Sequence, residues 1–208
     1  MSKVKHTPVH RLNKPGEGAS LVVSREHSVD VKGATGVLLT IDFTSAPVPD
    51  RRYAADIAAV ERVNDMVNII FGQTKVGGGF RSLLIINMSA SAVHQFLRSL
   101  ADILPTIREY AKRISLAKVD LTEVGQEPNQ TVALTANLVA ASQSGREACL
   151  DFYYSSPWVM MQVKKGGEFA AEPIVRITLT TGLLLAISTK LESVGAELPR
   201  DILEVEHE

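Results

Sequence analysis

The chain has little cysteine, few aromatic residues and almost no net charge. Its 208 residues include one cysteine, Cys149, which excludes an intrachain disulfide and fits a reducing compartment. The formal net charge is −1, so no overall field draws the protein to nucleic acid or to an acidic membrane surface. The longest apolar runs, Leu83–Ile86 and Leu183–Ile187, are much shorter than a membrane span. These features favour a cytoplasmic protein without a membrane partner or a nucleic-acid partner.

Both ends of the sequence are predicted to be flexible tails. Residues 1–18 contain several basic residues and glycines, and they lack the apolar segment of a signal peptide. Residues 197–208 form an acidic tail that ends in Glu204, Glu206 and Glu208. The length between the tails allows one domain, or two small units that share a core.

A glycine-rich hairpin, a strand, a hydroxyl residue and a helix follow one another twice along the chain. The two passages comprise residues 75–100 and residues 164–191. Ser89 and Thr180 stand at the same place in each passage, where a hydroxyl oxygen can accept a hydrogen bond from a free amide of the first helical turn. The sequence therefore predicts an internal duplication.

We interpret the chain as an α+β protein made of two ββββα repeats, each an antiparallel sheet followed by a packed helix. The first repeat is assigned to residues 19–115, with an insertion at 47–65, and the second to residues 131–196. Residues 116–130 are predicted to be a linker, because they contain glycine, proline and asparagine. In the second repeat, Trp158–Val163 is predicted to be the third strand.

Apolar residues at helical spacing predict that the helix of the first repeat packs against its sheet. They are Val93, Phe96, Leu97, Leu100, Ile103, Leu104 and Ile107. Pro105 falls within this pattern and predicts a kink or the start of a second helix. The pattern of Tyr53–Arg62 is compatible with a helix and with a long strand.

The second repeat resembles a small bacterial family of domains of unknown function. The matching segments are Ala136–Val139, Leu150–Phe152 and Ile177–Thr180, which correspond to a strand ending "ANLV", a strand ending "LDF" and a strand that leads through a hydroxyl residue into a helix. The chain departs from that family by having two copies and by lacking proline after Ser89 and Thr180. A fainter likeness, of architecture alone, is to the SecB export chaperone, an oligomer that holds unfolded chains. The family resemblance implies a small α+β fold and brings no catalytic residue with it.

Residue patterns typical of a catalytic, cofactor or metal site are not found in the sequence. The glycines Gly77–Gly79 lack the following Lys-Ser/Thr of a phosphate loop, and no two histidines have metal-ligand spacing. Cys149 has no histidine directed at it, and His94 is placed on the polar side of its helix. Asp42 and Asp151 each precede a phenylalanine at positions assigned as equivalent, where they could cap a turn or pair with a basic residue. We therefore assign no catalytic residue, cofactor or metal.

The aromatic and methionine-rich passage after Asp151 is the strongest candidate for a partner surface. Its candidate partner-binding residues are Tyr153, Tyr154, Trp158, Met160 and Met161. Side chains alternate in strands, so both faces of these predicted strands are apolar, and one helix can cover only one of them. The second face must be covered by the other repeat, by another subunit or by a client protein.

From these features we expect a non-enzymatic protein-interaction or assembly protein that uses an apolar sheet surface and edge strands. A homo-oligomer is expected, because small units with two apolar faces favour association. Two alternatives stay open. One is a SecB-like chaperone that binds non-native polypeptide, and the other is an enzyme or nucleotide-binding protein whose site forms between subunits.

Overall fold

Strands form most of the regular structure, and a helix follows the last strand of each half of the chain. The computed structural model describes residues 19–31, 34–44, 46–122, 131–162 and 167–198. It has the mixed α+β class that the sequence predicted. The predicted N-terminal tail, residues 199–208 of the predicted C-terminal tail and residues 123–130 of the predicted linker lie outside the described residues.

Ten strands and four helices are present within the described ranges. The strands are β1 (Ala19–Val31), β2 (Ala34–Asp42), β3 (Arg52–Ala54), β4 (Ile57–Val63), β5 (Met66–Thr74), β6 (Phe80–Ser89), β7 (Val132–Thr135), β8 (Leu138–Ser144), β9 (Glu147–Tyr154) and β10 (Glu168–Thr180). The helices are α1 (Ala90–Ala101), α2 (Leu104–Arg113), α3 (Pro157–Gln162) and α4 (Thr181–Glu197). None of these helices combines the length and the apolar character that crossing a bilayer requires.

The strands form two sheets, and each sheet includes one strand, β3 or β7, that adjoins the strands of the other sheet in sequence. The smaller sheet has the order β4-β5-β6-β7, and the larger has the order β2-β1-β10-β9-β8 with β3 also paired to β10. β3 runs parallel to β10, and β7 runs parallel to β6. β3 precedes the strands of the smaller sheet in the chain, and β7 precedes β8. The strand just before β4-β5-β6 therefore pairs with the last strand of β8-β9-β10, and the strand just before β8-β9-β10 pairs with the last strand of β4-β5-β6.

The three antiparallel strands β4-β5-β6 have the same register as β8-β9-β10. Ile57 lies opposite Gly72, as Leu138 lies opposite Tyr153, and each second hairpin shifts its register by one residue at the corresponding place. The first hairpins turn through a residue with positive φ, 56° at Asn64 and 61° at Gly145. Asparagine and glycine are the residues that tolerate this left-handed conformation best.

The corners where the chain crosses between the sheets are also built alike. The Asp56 side chain accepts a hydrogen bond from the Thr74 amide at 2.8 Å. The Asn137 side chain accepts one from the Ser155 amide at 2.9 Å. Both bonds tie the residue before an antiparallel strand to the end of its neighbour, so the crossing is fixed by the same contact in both halves.

One hydrophobic core joins the two sheets and three of the helices. Phe71 of β5 and Phe152 of β9, which occupy corresponding register positions, meet edge to face with ring centroids 5.9 Å apart. Helix α1 contacts β8, helix α4 contacts β4, and the two helices contact each other. The inner faces of the sheets therefore cover each other, which is one of the alternatives that the sequence left open.

The predicted helix signals are confirmed. The Ser89 hydroxyl accepts a hydrogen bond from the Ala92 amide at 3.3 Å, and Thr180 accepts one from Leu183 at 3.2 Å. Pro105 lies in the first turn of α2, where its missing amide hydrogen removes no intrahelical bond. The sequence therefore located both the N-caps and the break between α1 and α2.

Two predictions about the elements are wrong. The predicted strand Trp158–Val163 is helix α3 in its described part, because Pro157 occupies the first helical position and short apolar runs suit either conformation. Residues 47–65, predicted as an insertion, contain β3 and β4. The first repeat, predicted to begin at residue 19, also begins too early, because β1 and β2 form a separate hairpin joined to β10. The ambiguous segment Tyr53–Arg62 is extended, as β3 and β4 require.

Replacing Phe96 with alanine tests the helix packing. Phe96 is buried in the joint core at 1% exposure, so Phe96→Ala should lower the free energy of unfolding by about 3–5 kcal/mol in urea denaturation. Val76→Ala is the control, because Val76 is fully exposed. Equal midpoints for the wild type and Phe96→Ala would show that the α1 stripe does not contribute to the core.

Candidate interaction surface

Part of the candidate partner-binding set lies on the outer face of the larger sheet, around β9 and β10. A second apolar cluster covers much of it from within the same chain. The cluster contains Leu21, Ile41, Ala46, Leu138, Tyr153, Phe169 and Ala171, with Phe43, Ala140, Val159 and Met160 packed against it. The N-terminal strand, the segment after β2 and helix α3 therefore close this part of the sheet without a second subunit.

Tyr153 lies inside this cluster and is not available to a partner. Its side chain is 1% exposed, its ring lies 5.6 Å from that of Phe43, and its hydroxyl donates a hydrogen bond to the Pro47 carbonyl at 3.1 Å. Burial raises the pKa of the hydroxyl; the Asp151 charge acts in the same direction, and the Arg176 charge opposes both. Tyr153 thus fastens the segment after β2 to the sheet.

Helix α3 holds Trp158 at the surface while its other side is anchored. Ser155, just before the helix, donates its hydroxyl hydrogen to the Ala170 carbonyl at 2.8 Å. Met160 packs against the outer cluster, and its sulfur accepts a hydrogen bond from the Asn137 side chain at 3.6 Å. Trp158 is 68% exposed and Tyr154 is 36% exposed. The two exposed aromatic residues are the part of the predicted set that a partner can reach.

The other members of the predicted set have different environments. Met160 is half-buried against the sheet, and the side chain of Met161 lies outside the described residues. In the other half of the chain, the connection that corresponds to α3 is the glycine turn at Gly77–Gly79. Within the described residues, a helix in this connection is therefore a feature of one half, which the sequence pattern of two similar hairpins did not predict.

A second difference between the halves lies on the same outer face. Asp151 and Arg176 lie opposite each other on β9 and β10 and form a bidentate ion pair, with nitrogen–oxygen distances of 2.6 and 2.5 Å. The corresponding positions of the smaller sheet are Ile70 and Ile85, which also lie opposite each other. The Asp151 carboxylate raises the pKa of Arg176 through this hydrogen bond, although burial opposes it. An apolar pair in one half is thus an ion pair in the other.

The remaining polar residues considered in the sequence have structural surroundings. Asp42 accepts a hydrogen bond from the Thr44 amide at 2.8 Å, which caps a turn and lowers the pKa of its carboxyl group. The assigned equivalence of Asp42 and Asp151 is wrong, since Ile70 corresponds to Asp151. Cys149 is partly buried, with its sulfur 3.8 Å from the Thr178 hydroxyl. His94 is partly buried, and its Nε2 atom has no hydrogen-bond partner within the described ranges.

Comparisons with known proteins do not assign this chain to a family. No family model matches the sequence, and no curated protein matches it. Within the part of the chain that the structure describes, no three His, Cys, Asp or Glu side chains come together as metal ligands. The geometry of the surface therefore carries the argument about function.

The Asp151–Arg176 pair makes a prediction about stability. Asp151→Ala leaves a largely buried guanidinium without its acceptor and should cost about 2 kcal/mol of unfolding free energy in urea denaturation. Asp151→Ile combined with Arg176→Ile should recover most of that loss, because the other half already accepts isoleucines there. Asp50→Ala, at an exposed carboxylate, is the control. A double variant less stable than Asp151→Ala would refute the correspondence of these positions.

Tyr153 predicts a sensitivity to alkali. A buried hydroxyl with a raised pKa stays protonated in the folded state, whereas the unfolded chain ionises it near pH 10, so stability is lost above that pH and unaffected below it. Between about pH 10 and pH 11, the wild type should lose about 1 kcal/mol more than Tyr153→Phe in parallel urea titrations. Identical pH dependence in the two proteins would mean that the hydroxyl is not buried.

Proposed function

We propose that the chain is a tandem duplication of a three-stranded meander and helix, and that it acts as a non-enzymatic protein-interaction or assembly protein. The duplication is supported by the shared register of the two halves, by the N-caps Ser89 and Thr180 and by the matching corner residues Asp56 and Asn137. The interaction role rests on one observation, which is the exposure of Trp158 on an anchored helix.

An exposed tryptophan on an anchored helix keeps a large apolar surface in water, which is unfavourable in free energy until a partner covers it. Trp158 shows 68% of its surface to solvent, while the Met160 side chain and the hydrogen bonds of Ser155 hold the rest of α3 against the sheet. Tryptophan and tyrosine are the residues most enriched among those that dominate binding energy at protein interfaces. A rigid position also reduces the entropy lost when a partner binds. Trp158 therefore forms the centre of the proposed contact surface, which we call the α3 surface.

The partner that fits this surface best is a second copy of the chain. The apolar patch lies on one half, so the other half offers no matching patch to cover it. A symmetric dimer of identical chains would bring two such patches together. The inner faces of both sheets are buried in the joint core, so a broad apolar face of the kind a SecB-like holdase needs is not left open by them. This favours a defined assembly contact over the binding of many unfolded chains.

The single tryptophan of the chain gives a direct test. With self-association, its fluorescence should shift to shorter wavelength and become less accessible to acrylamide as protein concentration rises. Trp158→Ala should raise the dissociation constant measured by light scattering at least about tenfold. Lys75→Ala, in the exposed glycine turn of the other half, should leave it unchanged. A chain that stays monomeric with solvent-exposed Trp158 at high concentration would contradict the proposed assembly.

A further inference from the structure

A groove of about 840 Å³, whose lining includes no residue of α3, lies between α2, α4, β4 and the segment that follows α2. We call that segment, residues 114–122, the strap. The second half has no corresponding element among the described residues, since the described chain ends with α4. The groove is therefore another feature that breaks the likeness of the two halves, and it is independent of the proposed assembly contact.

The strap is held at both ends by the protein itself. After α2, the Leu116 amide donates to the Ala111 carbonyl at 2.9 Å, and Ser115 takes a left-handed conformation with φ 49°. At the far end, the Thr122 amide donates to the Ala58 carbonyl of β4 at 2.9 Å. These backbone bonds fix the wall of the groove, and small-molecule sites are usually pre-formed in this way.

Gly182 of α4 lets the strap approach the helix closely. A Cβ atom at this position would lie 2.9 Å from the Val119 side chain and 3.5 Å from the Ala117 carbonyl. Val119 and Leu121 of the strap pack against the joint core from this side. The glycine therefore shapes the closed end of the groove, and the strap is part of the folded protein.

The groove has an apolar surface with cations at its rim. Ala111, Leu116, Leu185 and Ala186 contribute apolar atoms to it. Six charged residues line it: Glu61, Arg108, Lys112, Lys118, Asp120 and Lys190. Two of the cations are already neutralised within the protein, because Arg108 binds Glu192 at 2.7 Å and Lys118 lies 3.5 Å from Asp120.

The charges that remain give the groove a net positive character. Lys112 and Lys190 lie on α2 and α4, on either side of the groove, and neither has a carboxylate partner among the described residues. Glu61, on β4, is the remaining carboxylate of the lining. Two uncompensated ammonium groups therefore face one carboxylate across an apolar floor.

We propose that the groove is a binding site for a small amphiphile with an apolar body and one anionic head group, of the medium-chain carboxylate class. Its volume falls within the roughly 300–1,000 Å³ typical of small-molecule sites. The apolar body lies on Leu116, Leu185 and Ala186, and the head group lies between the ammonium groups of Lys112 and Lys190. Burial of the ligand's apolar chain supplies most of the affinity, and the two lysine ammonium groups favour an anionic head group over a neutral one.

Titration calorimetry of the full chain with dodecanoate, below its micelle concentration, tests this site. One equivalent should bind, whereas dodecanol and acetate should bind at least about tenfold more weakly, because each lacks one of the two features. The double variant Lys112→Glu/Lys190→Glu should raise the dissociation constant for dodecanoate about tenfold or more. Ala186→Phe, which fills the floor, should abolish binding while its melting temperature confirms that it folds.

The matched control is Lys75→Glu/Arg81→Glu, which makes the same change in net charge on exposed residues far from the groove. It should leave the affinity for dodecanoate within about twofold. Equal losses in the two double variants would show a general charge effect and overturn the proposal. So would equal affinity for dodecanol and dodecanoate, or no binding by the wild type. Because Trp158→Ala leaves the groove intact, it should bind dodecanoate normally even if the assembly proposal fails.

Discussion

The exchange of β3 and β7 between the two sheets is the constraint on which the rest of the fold depends. Each sheet is completed by a strand from the other half, and the backbone bonds from Ala55 to Thr178 and from Ala136 to Asn87 secure both crossings. The exchange brings the inner faces together, so that Phe71 meets Phe152 and each main helix packs on the other half's first antiparallel strand. Neither half has a complete core without the other.

The two halves share their strands, helix caps and corners. The features that differ between them are therefore the better candidates for a specific function. The framework itself needs only the matching strands, caps and corners. Helix α3, the Asp151–Arg176 pair and the strap are additional, and none of them is required by the symmetric arrangement. Since similar folds serve many functions, such local additions carry more functional information than the fold does.

Predictions that rest on neighbouring residues were correct, and predictions that depend on distant pairing were not. Ser89, Thr180, Pro105 and the stripe through Phe96 were predicted correctly, because caps, proline and helical spacing act within one or two turns. The start of the first repeat was predicted wrongly, because β1 and β2 are long strands whereas β3 has only three residues, and only tertiary pairing shows which strands belong together. The burial of Tyr153 could not be predicted, since the Pro47 carbonyl that accepts its hydrogen bond is distant in sequence.

The parallel pairing of β3 with β10 also governs when the protein can reach its native state during synthesis. Residues 52–54 find their partner only at residues 176–178, near the end of the described chain. A ribosome must therefore synthesise and release residues 176–178 before this pairing can form, and residues 52–54 stay without it during that interval. Topologies dominated by such distant contacts fold slowly and expose unpaired edges on the way. The interlocked pairing thus joins distant parts of the finished molecule and leaves the edge at β3 unpaired until β10 has been made.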